Sequence, residues 1–137
     1  MKNADRLTEL VFTLSRITRD GIEGKNNSLS YIQFQTLSFL IRKKTPTMKE
    51  VSEHIHITAP STTTLIDNMV RMKYILRINN KIDRRIIRLK ITKNGQKELE
   101  IGLVAAKKHL EKIFNKLPKK DRNDFERILT KLYKLFN

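Results

Sequence analysis

Cysteine and tryptophan are missing from this 137-residue chain. Without cysteine there can be no disulfide, thiolate metal site or thiol redox switch. Four glycines and three prolines leave no glycine-rich phosphate loop, no low-complexity linker and no internal repeat. No apolar run approaches the roughly 20 residues of a membrane helix. No signal-peptide core is visible either, so a cytoplasmic protein is expected. Histidine occurs three times, as His54, His56 and His109. A metal set would need His54 or His56 to join Glu50, Glu53 or His109, and no metal and no cofactor are expected. Carboxylates are scattered on helix faces and no nucleophile, base and acid stand together, so the chain is not read as an enzyme. Acidic residues are also scarce, 14 against 29 Lys and Arg, for a net charge of +15. A polyanionic partner is expected. The length fits one domain, 1–137, with a modest core.

What is present is concentrated between residues 47 and 92. Thr47 followed by Glu50 is a capping box, starting a short helix that runs to about Ile55. His56 and Ile57 make a turn. Thr58 caps a second helix that tolerates Pro60 in its first turn and is expected to end near Lys73. At about 100° per residue, Thr62, Leu65, Ile66 and Met69 share its core side, with Pro60, Ser61, Thr64, Asp67, Asn68 and Arg71 opposite. An ordinary solvated face would carry long Glu and Lys. Here the first turn carries Ser61, Thr62, Thr63 and Thr64, small hydroxyl residues able to approach phosphates or base edges closely.

From Ile75 the hydrophobic period changes to two. Leu76 and Ile78 share one face, as do Ile87, Leu89 and Ile91, predicting a hairpin that is apolar toward the helices and basic outward. Its tip, Asn80 to Arg85, projects Lys81, Arg84 and Arg85. Between Arg71 and Lys97 stand ten Lys or Arg against Asp83 alone, so this stretch holds +9 of the total +15. A charge run is commonly just a solvated face. On a hairpin directly after a helix-turn-helix, it reads as a nucleic-acid-binding wing.

The flanking segments are helical. Residues 4 to about 23 place Leu7, Leu10, Val11, Leu14, Ile17 and Thr18 at helical spacing, closed by Gly21, Gly24 and Lys25-Asn26-Asn27-Ser28. A helix from Ser30 to Lys43 offers Phe34, Leu37, Ser38 and Ile41, with Phe39 and Leu40 beside them; the two phenylalanines read as core before pocket lining. After the wing, Thr92 caps a helix through Leu99, Leu103, Ala106, Leu110, Ile113 and Phe114 that stops at Pro118. A last helix carries Phe125, Ile128, Leu129, Leu132, Leu135 and Phe136. These stripes exceed what one small core can cover, so Leu7, Leu10, Leu14, Ile113, Phe125, Leu129, Leu132 and Phe136 are expected to meet their copies across a two-fold axis. The alternative is an intramolecular bundle cap. The fold expected is mainly α with a small antiparallel β-hairpin wing. A winged helix-turn-helix over 29–97 is flanked by dimerisation helices over 1–28 and 98–137.

Asp83-Arg84-Arg85 with the alternating strand to Thr92 and then Lys93-Asn94-Gly95 resembles the wing signature of the multiple-antibiotic-resistance regulator (MarR) family. That signature is D-x-R, a strand, then L-T-x-x-G. Leu29 to Phe34 resembles the start of that family's second helix, and the likeness covers nearly the whole chain. It implies a homodimeric winged-helix transcription regulator, usually a repressor of an inverted-repeat operator, often released by a small ligand. The peroxide-sensing branch needs a cysteine that this chain lacks. In that setting Ser61, Thr62, Thr63, Thr64 and Asn68 would face the bases, Asn68 with a two-pronged contact to adenine. Arg71 and Lys73 would meet phosphate, Lys81 would contact DNA from the wing tip, and Arg84 or Arg85 would enter the adjacent minor groove. By resemblance Arg85 is the groove arginine and Asp83 braces the loop. The chain departs from the family at Tyr74, read as replacing a glycine, so its recognition helix is expected to end differently. It departs again at Thr64 and Asn68, where arginine is common. Two other readings are a winged module binding RNA or DNA without sequence preference and a basic face docking an acidic protein.

Overall fold

The computed structural model describes residues 2–24 and 28–137. In order the elements are α1 (Lys2–Ile22), α2 (Tyr31–Lys43), α3 (Met48–Ile55), α4 (Ala59–Arg71), β1 (Ile75–Asn79), β2 (Ile87–Ile91), α5 (Lys93–Phe114) and α6 (Lys119–Phe136). The strands form a two-stranded antiparallel sheet. Lys25, Asn26 and Asn27, expected to close the first helix, lie outside the described residues.

Side-chain caps set the helix starts. Ser30 and Gln33 form a reciprocal capping box at α2, and Thr47 and Glu50 form another at α3. Thr58 accepts from the Ser61 amide at 3.3 Å, and Thr92 from the Gly95 amide at 3.0 Å. Each such cap contributes about 1 kcal/mol. Gly95 also lies against the carbonyl oxygen of Tyr74, where a Cβ would collide with backbone. The first turn of α5 can cross the start of the wing only because that position is glycine.

The core lies in the winged unit. Leu37, Leu40, Val51, Ile66, Met69, Ile75 and Leu89 are fully buried, and Phe39 is buried beside them. Phe34 packs at the edge of this cluster. Ile41, expected inside, is exposed.

Two local expectations are corrected. The recognition helix ends at Arg71, short of the expected Lys73, and closes through Lys73 at φ 65°, so Tyr74 avoids the left-handed conformation as expected. The Tyr74 amide donates to the Met69 carbonyl and the Lys73 amide to the Val70 carbonyl, each at 2.9 Å. This double bond pattern closes a helix through a left-handed residue at the first position beyond the cap, and here that residue is a lysine. Tyr74 follows in the chain and is buried. The second correction concerns β1. Ile75 pairs with Ile91, Arg77 with Leu89, Leu76 with Lys90 and Ile78 with Arg88. Cross-strand partners point to the same side of a sheet, so Ile75 shares the core face with Ile91 and Leu89. Leu76, 54% exposed, and Ile78, 38% exposed, face outward with the cations.

α1 packs along α5. His109 Nε2 lies 3.0 Å from the Ile17 carbonyl oxygen, and its ring fills the space over Gly21. Ser28 Oγ donates to Glu98, tying the segment before α2 to α5. α6 meets α5 through the Phe114 and Phe125 rings, 5.1 Å apart, and through Arg122 Nη1 donating to Asn115 Oδ1 at 2.9 Å. No residue of α6 is buried.

Candidate nucleic-acid interface

The turn between α3 and α4 fixes how the recognition helix is presented. His56 takes a left-handed conformation, φ 60°, the Ile57 amide donates to the Ser52 carbonyl, and Ser52 Oγ donates to the Ile57 carbonyl at 2.7 Å. α4 then buries Thr62, Ile66 and Met69. Ser61, Thr63, Thr64, Arg71 and Lys73 remain exposed, and Asn68 is half-buried. Thr62 leaves the set of expected DNA contacts. It is 1% exposed, and its hydroxyl donates to the Thr58 carbonyl at 2.9 Å. Position alone decides this, since its 100° steps put it with Ile66 and Met69.

The remaining hydroxyls are exposed but satisfied. Thr63 Oγ1 donates to the Ala59 carbonyl at 3.1 Å, Thr64 Oγ1 to the Pro60 carbonyl at 3.2 Å, and Thr58 Oγ1 to Ser61 Oγ at 2.9 Å. Each hydroxyl oxygen keeps acceptor capacity and can rotate its proton toward an outside acceptor. The first turn thus offers short polar groups without an unmet hydrogen-bonding demand.

The wing is braced at several points. The Leu89 amide donates to the Pro46 carbonyl at 2.9 Å, and Arg88 Nη1 donates to the Thr45 carbonyl at 3.0 Å. A bridge between Thr47 and Arg88 adds the start of α3 to the sheet edge. Arg77 forms an ion pair with Asp67, locking β1 to α4. Sequence reasoning missed this pair because the partners sit on different elements and no periodicity links them. Two consequences follow: Arg77 is not a free outward cation, and the one carboxylate on the polar face of α4 is neutralised.

At the tip, Asp83 Oδ1 accepts from the Arg85 amide at 3.0 Å and from Arg85 Nε at 3.3 Å. The Arg85 side chain is 92% exposed even so. Asn80 Oδ1 accepts from the Ile82 amide at 3.0 Å, the Ile86 amide donates to the Asp83 carbonyl and the Asn80 amide to the Ile86 carbonyl, both at 3.1 Å. Lys81, Arg84 and Arg85 are exposed on this pinned loop.

The histidines are engaged elsewhere. The His54 ring stacks on Phe39 at 4.1 Å, with Arg42 Nη2 3.3 Å from its Nε2. Burial first, then the charges of Arg42, His56 and Lys43, hold its pKa below the ordinary histidine value. Among the described residues, no three His, Asp or Glu side chains are placed to hold a metal ion.

A MarR family sequence model matches residues 27–86. An uncharacterised HTH-type transcriptional regulator of Bacillus subtilis (strain 168), YsmB, is 26% identical over 100 residues, covering 73% of this chain and 68% of that protein. A MarR family protein from Bacillus stearothermophilus has the same fold, with a TM-score of 0.82 at 21% identity over 98% of this chain and 96% of that one. Streptococcus pneumoniae FabT, solved in complex with DNA, superposes with a TM-score of 0.71 at 23% identity over 98% of this chain and 95% of that one. The family match over residues 27–86 and the architecture agree: this chain has the winged helix-turn-helix fold of these structures and resembles the MarR family over its central part.

Proposed function

We propose that the protein is a homodimeric repressor that binds an inverted-repeat operator and is released when a small ligand changes the spacing of its two heads. The observation that carries this reading is one of surface. A compact 16.2 kDa monomer exposes about 7,500 Å² by the usual mass scaling, whereas this chain exposes 10740 Å². Many of the exposed large apolar side chains lie on the flanking helices. Leu7, Leu10, Leu129, Leu132 and Phe136 are exposed on α1 and α6, with Leu14, Ile113 and Phe125 half-buried beside them. Large apolar side chains left exposed together on two helices favour an interface between copies.

A two-fold axis through these helices would present two α4 helices and two wings. If the α4 helices stand about 34 Å apart they enter successive major grooves, and the half-sites are inverted repeats. Ser61, Thr63, Thr64 and Asn68 then face base edges, Arg71 and Lys73 meet phosphate, and Lys81, Arg84 and Arg85 reach the flanking minor groove. Asp83 keeps its place as the brace of the loop. A dimer seated on a promoter excludes polymerase by occupancy, which is the simplest repression. A ligand that alters head spacing weakens both half-sites together.

The test is competition binding at physiological salt between a promoter-derived inverted repeat and random duplex. The regulator should prefer its site by at least about 10³. Equal affinity for both, with a steep salt dependence, would instead mark a non-specific winged module.

A further inference from the structure

We propose that Ile82, at the very tip of the wing, is a specificity-determining contact that seats an alkyl side chain in the minor groove and rejects G·C pairs there. The inference rests on the DNA-binding reading above and goes beyond it by assigning discrimination to an apolar residue.

Ile82 is 97% exposed, more than any other exposed large hydrophobic residue described. A solitary exposed isoleucine is ordinary; one held out rigidly between cations is not. Its own amide is tied to Asn80 Oδ1, and Asp83 ties the next residues through the Arg85 amide. Two backbone bonds, from Asn80 to Ile86 and from Ile86 to Asp83, close the loop. A β-branched side chain has few rotamers to lose, so the loop presents a fixed alkyl group at little entropic cost on binding. Lys81 precedes it and Arg84 and Arg85 follow, all exposed. Cations that engage the phosphates on either side of a minor groove would carry Ile82 between its walls.

The chemistry of that groove decides what Ile82 would prefer. Its walls are deoxyribose, which is largely apolar, and A·T tracts narrow it. A·T pairs offer only acceptors at the floor, while G·C adds the guanine N2 amino donor. An alkyl group pressed onto that amine would strip it of water and leave a donor unpaired. Ile82 would therefore favour A·T by penalising G·C, while the neighbouring cations supply sequence-independent attraction.

The experiment begins by selecting duplexes from a random library with the wild-type protein and locating the wing-contacted pairs by footprinting. Those pairs are then replaced by G·C or by inosine·C, which lacks only the amino group. Wild type should bind A·T and inosine·C flanks alike and G·C about tenfold more weakly. Ile82→Ala should weaken A·T binding about fivefold, as expected for losing part of a buried alkyl chain. It should also shrink the A·T to G·C ratio to within about twofold and leave the salt slope unchanged, because no phosphate contact is lost. Thermal unfolding would confirm the variant's fold. If Ile82→Ala keeps the full A·T to G·C ratio, or lowers the salt slope, the inference fails while the regulator reading stands. If wild type enriches no duplex at all, the DNA-binding reading fails and takes this inference with it.

Discussion

The winged unit and the helices around it use their apolar residues in opposite ways. Within residues 29–97, Leu37, Leu40, Val51, Ile66, Met69, Ile75 and Leu89 are sealed from solvent in one cluster. In α6 no residue is buried, and Phe136 is 83% exposed. The first region holds its core within one chain. The second leaves its apolar side chains in solvent, where the proposed dimer would cover them. In the proposed dimer, the head would hold its own core, while its position relative to a second head would depend on an interface between chains.

The strongest way to break this contrast is to charge the platform. Leu129→Asp with Leu132→Asp should abolish dimerisation and lower operator affinity by at least about 100-fold, since a lone head loses the linkage between half-sites. The winged unit should keep its helical circular dichroism signal. Loss of fold together with loss of dimer would mean that the two regions are not separable. A smaller effect is expected at the head. Arg85→Ala should weaken binding about tenfold at A·T-flanked sites while sedimentation still reports a dimer, and a change within twofold would remove Arg85 from the interface. The least effect is expected inside the head. Lys73→Gly relieves a left-handed lysine and should raise stability by about 1 kcal/mol, a few degrees in Tm. An unchanged or lower Tm would show that the lysine side chain stabilises the turn by other means.

How much of this could be read in the residues follows from the range of the interactions. Thr47, Thr58 and Thr92 cap the helices they were expected to cap because the bonds span three residues. The helices themselves were legible from 3.6-residue periodicity. The outward turn of Leu76 and Ile78 was not. Ile75, Leu76 and Ile78 are all apolar, so alternation alone supports either face, and only pairing of Ile75 with Ile91 decides between them. The exact close of the recognition helix was not legible for a related reason. Tyr74 in place of the family glycine points to a different ending, but only the bonds to Met69 and Val70 put the left-handed residue at Lys73. At the interface, the exposed hydroxyls and the wing cations were visible in the sequence. The Arg77 to Asp67 pair was not, because it joins a strand to a helix ten positions away.

The central claim is that two copies of this chain grip one duplex. Sedimentation equilibrium of the free protein, and then of its complex with a selected inverted repeat, tests it directly. The account predicts a dimer alone and two protomers per duplex in the complex. A stable monomer that binds the same duplex one to one would contradict it.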